Sequence, residues 1–144
     1  MAQMHDVAKY ILEQQGSMSA MKLQKLMYYS QAWHLVWAEQ ELFPEDFQAW
    51  ANGPVLPGLY FRHKGQFIVD QALLPQASGA ALSPMECESV NKVLGFYGQQ
   101  TAQWLSNLTH QEAPWLRARD GLDPGAICNE VIPKAEMHEY YSAL

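Results

Sequence analysis

Five histidines, two cysteines and a scatter of carboxylates are the residues of this chain that could do chemistry. His5, His34, His63, His110 and His138 form no HxH or HExxH run, and none stands at ligand spacing from a cysteine, so no metal site is expected. Cys87 lies between Glu86 and Glu88, whose charge opposes a nucleophilic thiolate, and Cys128 has no base beside it. The chain has neither a GxSxG elbow nor a P-loop. The best enzymatic arrangement would gather Lys25, His34, His110 and Glu112 into one general-base pocket. No catalytic residue is assigned on that basis, and no cofactor is expected.

Two stretches stand out for a different chemistry, that of recognition. One is Trp50-Ala51-Asn52-Gly53-Pro54-Val55; the other is Leu108-Thr109-His110-Gln111-Glu112-Ala113-Pro114-Trp115. Each joins a tryptophan, a helix breaker and polar groups able to satisfy bare backbone. On an architectural reading, Asn52 and Thr109 cap helix ends, His110 satisfies a carbonyl, and the indoles fill gaps. On a recognition reading, Trp50, Asn52, Gly53, Pro54, Val55, Tyr60, Thr109, His110, Glu112 and Trp115 form a candidate partner-binding set.

The elements that must position these residues are mainly helical. Val7, Ala8, Ile11 and Leu12 share one face of a helix from Asp6 to Gln15. Ser19 caps a long helix to about Glu39, with Leu23, Leu26, Met27, Ser30, Trp33 and Trp37 at three-four spacing. Pro44 is placed in the first turn of a short helix to Trp50; Gly53-Pro54 ends it, and Pro57 opens another to Lys64, a helix–kink–helix corner. Gln66 to Asp70 reads as a short strand and Gln76 to Ala81 as an exposed loop. Ser83-Pro84-Met85-Glu86 is a capping box with a first-turn proline. Helices follow from Thr101 to Leu108 and from Pro114 to Arg119, then an extended piece from Ile127 to Ile132 and a closing helix from Pro133 to Leu144. The expected fold is mainly α, a compact bundle of about seven or eight mostly short helices around one long central helix, with one or two very short strands.

Composition narrows the class. With 144 residues, 49% hydrophobic and 17% charged, the chain is of ordinary domain size and globular rather than disordered. One domain over residues 1–144 is expected, its core at about 6–141. A net charge of −6 argues against nucleic acid as a partner. Arg62-His63-Lys64 and Arg117-Ala118-Arg119 are the only basic clusters and read as solvated helix ends. Leu23 to Ala38 is interrupted by Gln24, Lys25, Gln31 and His34, which excludes a spanning helix; no membrane partner and a cytoplasmic location are expected.

The runs DVAKYIL, MSAMKLQKLMYYSQAWHLV, LFPEDFQAWANGPVLPGLY and LSNLTHQEAPWLRAR occur in that order. Together they resemble the Panacea domain of SocA-like antitoxins, a family that also takes in GepA and many phage-associated proteins. Matching positions are Lys22, Leu23, Gln24, Lys25, Leu26, Tyr28, Tyr29, Gln31 and Trp33 in the long helix. Trp50, Gly53, Pro54, Val55 and Tyr60 match next, then Leu108, Thr109, His110, Glu112, Pro114 and Trp115; residues after Asp120 follow the pattern least. The resemblance implies a bacterial or prophage antitoxin that neutralises a cognate toxin, encoded nearby, by direct protein–protein contact. It carries no catalytic assignment. Two other functions stay open: a phage-associated regulatory or structural protein that self-associates as a homodimer, and a small hydrolase-like enzyme.

Overall fold

A serine hydroxyl starts each of the two longest helices. In the computed structural model, which describes residues 1–144, Ser19 Oγ accepts from the Lys22 N–H at 3.1 Å. Ser83 Oγ accepts from the Glu86 N–H at 3.2 Å while the Glu86 carboxylate takes the Ser83 N–H at 2.7 Å, closing the capping box. These caps open α2 (Ala20–Ala38) and α4 (Pro84–Tyr97). Before them comes α1 (Met4–Gln15), and after them α5 (Ala102–Thr109), α6 (Ala113–Arg119) and α7 (Lys134–Ser142). The short α3 (Pro57–His63) brings the helices to seven.

The 19-residue α2 is the axis, packed by α1, α4, α5 and α7. Its girth is buried nearly all round, with Gln24, Lys25, Gln31 and His34 covered along with the apolar stripe. One cluster of 34 buried apolar residues runs from Ala2 to Tyr141, with Leu23, Leu26, Met27, Tyr28 and Tyr29 of α2 at its centre. Each such side chain, fully buried, contributes about 1.5–3 kcal/mol.

Extended structure is confined to two antiparallel pairs. β1 (Met18–Ser19) pairs with β4 (Ile68–Val69), as the reading of Gln66 to Asp70 required. β2 (Gln48–Trp50) pairs with β3 (Gly53–Val55), Trp50 opposite Gly53. This hairpin corrects the expected helix from Pro44 to Trp50 and the helix–kink–helix corner. Its outer edge is paired from far along the chain: the Ala49 N–H donates to Glu130 O at 2.9 Å and the Ile132 N–H to Phe47 O at 2.8 Å. A strand fixed by remote backbone leaves no local signature, whereas Pro44 offers a misleading one. The expected piece from Ile127 to Ile132 reduces to a single bridge at Val131. The expected loop at 76–81 contains a 3₁₀ turn, Gly79–Ala81.

No helix is long and apolar enough to cross a membrane. The basic clusters are not solvated throughout. His63 and Arg119 are buried, because each is bonded inward.

Candidate functional site

Four successive carbonyls at the turn of the β2–β3 hairpin are each met by a side chain of the α5–α6 joint. Arg119 Nη1 donates to Ala49 O at 2.9 Å, and Trp115 Nε1 to Trp50 O at 2.9 Å. His110 Nε2 lies 2.8 Å from Ala51 O, and Ser106 Oγ donates to Asn52 O at 3.0 Å. The other His110 nitrogen faces Ser106 O, so a neutral ring satisfies one carbonyl at a time. Each bond of this kind is worth about 1 kcal/mol net. Two of them, from His110 and Trp115, join the two unusual stretches directly: one supplies acceptors, the other donors. Arg119 completes the work with three further carbonyls, Asp123, Pro124 and Ala126, and lies 4.9 Å from the Trp115 ring centre.

Two glutamines of α2 do the same for neighbouring coil. Gln24 gives its amide N–H to Leu56 O at 3.2 Å and accepts the Leu56 N–H at 2.9 Å. Gln31 gives to Phe43 O at 2.7 Å and accepts the Leu42 N–H at 2.7 Å. Gln24 also contacts His63 Nε2 at 3.0 Å, and burial pushes the His63 imidazole down from its ordinary pKa. Two of the four polar interruptions of the long helix, Gln24 and Gln31, are therefore clamps on irregular backbone.

Beneath the hairpin sits a lone cation. Lys25 is 0% exposed, and its only hydrogen bond is a 3.5 Å contact from Nζ to Pro54 O. Burial with so little compensation pulls its pKa down to about 7. Gly53 closes over it at φ +113, and a Cβ there would fall 2.5 Å from Lys25 Cε and 3.0 Å from Thr109 Oγ1. Glycine is required at that position twice over, for the positive φ and for the approach.

A lone anion sits in a ring of tyrosines. Glu112 is 5% exposed, and its Oε1 accepts from both Tyr29 and Tyr141 hydroxyls at 2.7 Å. Tyr141 thereby spends its proton, so Tyr28, 3.1 Å away, donates to it in turn. Burial pushes the Glu112 carboxyl above its ordinary pKa, and the two hydroxyls oppose that rise. Tyr29 stacks on Tyr97 at 4.1 Å, and Trp33 Nε1 donates to the Tyr97 hydroxyl at 3.0 Å.

Of the ten candidate partner-binding residues, Gly53, Pro54, Val55, Thr109, Glu112 and Trp115 are buried. Trp50, Tyr60 and His110 are half-buried, and Asn52 is exposed. Trp50 and Tyr60 lie ring to ring at 4.9 Å. Asn52 turns the hairpin rather than capping a helix, and Thr109 donates to Ser106 O at 2.8 Å. His110, Asn52 and Ser106 line a cavity of about 470 Å³ whose lining also includes Lys25; Trp50, Tyr60, Asn52 and Ile127 line another of about 400 Å³.

The general-base set of Lys25, His34, His110 and Glu112 is not brought together. Lys25 and His110 share a cavity, but His34 is turned to Ser89 Oγ at 2.8 Å and Glu112 to its tyrosines. The fold disperses them because α2 presents Lys25 and His34 to different neighbours. No group of three His, Cys, Asp or Glu side chains is placed to hold a metal ion. Sequence reasoning missed an aromatic groove walled by Trp33, Trp37, Phe96, Tyr97 and Trp104. Its one signal was Trp37, on the apolar stripe of α2 yet 44% exposed.

No curated protein and no solved structure matches the chain. Residues 23–116, from within α2 to the middle of α6, match the family described as "Antitoxin SocA-like, Panacea domain". The matched span contains the glutamine clamps, Lys25, the hairpin and Trp115, and the chain belongs to that family.

Proposed function

We propose that this chain is the antitoxin of a toxin–antitoxin pair and neutralises a cognate toxin, encoded nearby, by direct protein–protein contact. Membership of the SocA-like antitoxin family is the observation that carries the reading. The contact face we assign is the hairpin turn, where Asn52, Trp50, Tyr60 and His110 retain exposed surface on a backbone laced from below. A rigid turn loses little conformational freedom on binding, which favours affinity. Exposed Phe61, Phe67 and Ile127 border it and offer apolar area of the kind that partner faces use.

The test is co-expression with the protein encoded beside it. Growth arrest by that neighbour alone, rescue by this chain and co-purification of the two are expected. Asn52→Arg places bulk and charge on the turn without touching the Ser106 bond, which uses the backbone carbonyl. That variant is expected to fold normally and lose rescue. A neighbour that is harmless alone, or that is never retained by this chain, overturns the reading; rescue by Asn52→Arg at wild-type level moves the contact face elsewhere.

A further inference from the structure

Beside α2 opens the aromatic groove, of about 550 Å³, with Glu112 among the residues that line it. Trp37, Phe96 and Trp104 are 44%, 67% and 42% exposed, so three large rings face solvent on one side of the molecule's axis. Ring faces carry partial negative charge. Glu112 adds a carboxylate whose Oε1 is taken by Tyr29 and Tyr141, while Oε2 has no partner in the protein. An apolar occupant would leave that oxygen stripped of water, and an anionic one would meet both like charge and ring faces. A cation on an apolar stem satisfies the carboxylate and the rings together.

The groove already shows this preference at its rim. Lys92 Nζ lies 5.1 Å from the Trp37 ring centre, held by Glu88 at 3.2 Å, and is solvent-exposed. The chain's charge of −6 draws basic partners generally. Between the two basic side chains, guanidinium is planar, weakly hydrated and stacks on indole, which suits a wall of three tryptophans better than a hydrated ammonium does.

We propose that this groove receives an arginine side chain of the partner protein, its guanidinium laid on the tryptophan faces and bonded to Glu112 Oε2. The assignment rests on the reading of the chain as a protein-binding module and supplies the chemistry of a second contact, away from the hairpin.

The test titrates the full chain with N-acetyl-arginine amide and, separately, with N-acetyl-citrulline amide, a neutral counterpart of the same shape. The readout is the indole N–H resonances of Trp33, Trp37 and Trp104. The arginine probe is expected to shift them and to bind about tenfold more tightly than the citrulline probe. Glu112→Gln is expected to abolish that preference. Trp37→Leu, at an exposed position that does not threaten folding, is expected to weaken arginine binding severalfold and serves alone if Glu112→Gln does not fold. Equal binding of the two probes, no shift with either, a preference that survives Glu112→Gln, or unchanged affinity in Trp37→Leu overturns the assignment. No toxin enters these titrations, so their failure is distinct from a failure of growth rescue.

Discussion

Lys25 and Glu112 are both buried single charges against the same helix, yet the fold treats them differently. Glu112 is given two hydroxyl donors at 2.7 Å and a third tyrosine behind them. Lys25 is given one long contact to a carbonyl and a glycine pressed against its stem. A carboxylate so supplied keeps much of the solvation it lost; an ammonium so neglected sheds its proton instead. The anion is part of a network, whereas the cation is a standing charge on the stability of the fold.

The largest test of that contrast is Lys25→Met. The lysine's pKa falls from 10.5 to about 7 on folding, a gap equivalent to about 5 kcal/mol. The unfolded chain therefore binds more protons between pH 7 and 10.5, and stability rises with pH across that window. Lys25→Met is expected to be more stable than wild type by several kcal/mol at pH 7 and below, the advantage fading towards pH 10. Urea unfolding across pH measures it, and a destabilised Met variant would mean that Lys25 has a partner equal to those of Glu112.

Gly53→Ala comes next. It forces a side chain onto a positive φ and onto Lys25 Cε, and is expected to cost about 3 kcal/mol. Combining it with Lys25→Ala, which removes the Cε that Met would retain, should recover the part due to the clash but not the part due to backbone strain. A double-mutant cycle separates the two.

On the anion's side, Tyr141→Phe removes one of the two donors to Glu112 and is expected to cost about 1–3 kcal/mol. It should also push the Glu112 carboxyl further up, which carbon-detected NMR titration reads directly. Glu112's raised pKa means that the folded state binds more protons, so stability falls as pH rises from the unfolded value to the folded one; Glu112→Gln should flatten that slope. The smallest expected effect is Trp37→Leu, about 0.5–1 kcal/mol, because the ring is 44% exposed and loses only its stack on Trp33 and the Lys92 contact.

What could be read from the chain beforehand was local. Ser19 and Ser83 announced their helices because a cap is written within four residues. Gly53 read as a helix terminator, whereas its positive φ serves the β2–β3 hairpin. What escaped depends on distant chain: β2 is held by Glu130 and Phe47–Ile132 contacts, so Gln48 to Trp50 looked like the tail of a Pro44 helix. The burial of Lys25, Gln24 and Gln31 was invisible for an equivalent reason. Polar residues on a helix look like its wet side until one knows what backbone lies over them. The two unusual stretches do touch, but through main-chain carbonyls, which no side-chain pattern spells out.

The glutamine clamps have a consequence for how such a chain can vary. Gln31 fastens the polypeptide at Leu42 and Phe43, and Gln24 fastens it again at Leu56. Everything between is a cassette with both ends tied to one rod. Since amides grip backbone and not side chains, exposed residues inside the cassette such as Asn52 can be exchanged without loosening its moorings, whereas Gly53 and the buried Phe47 and Ala49 cannot.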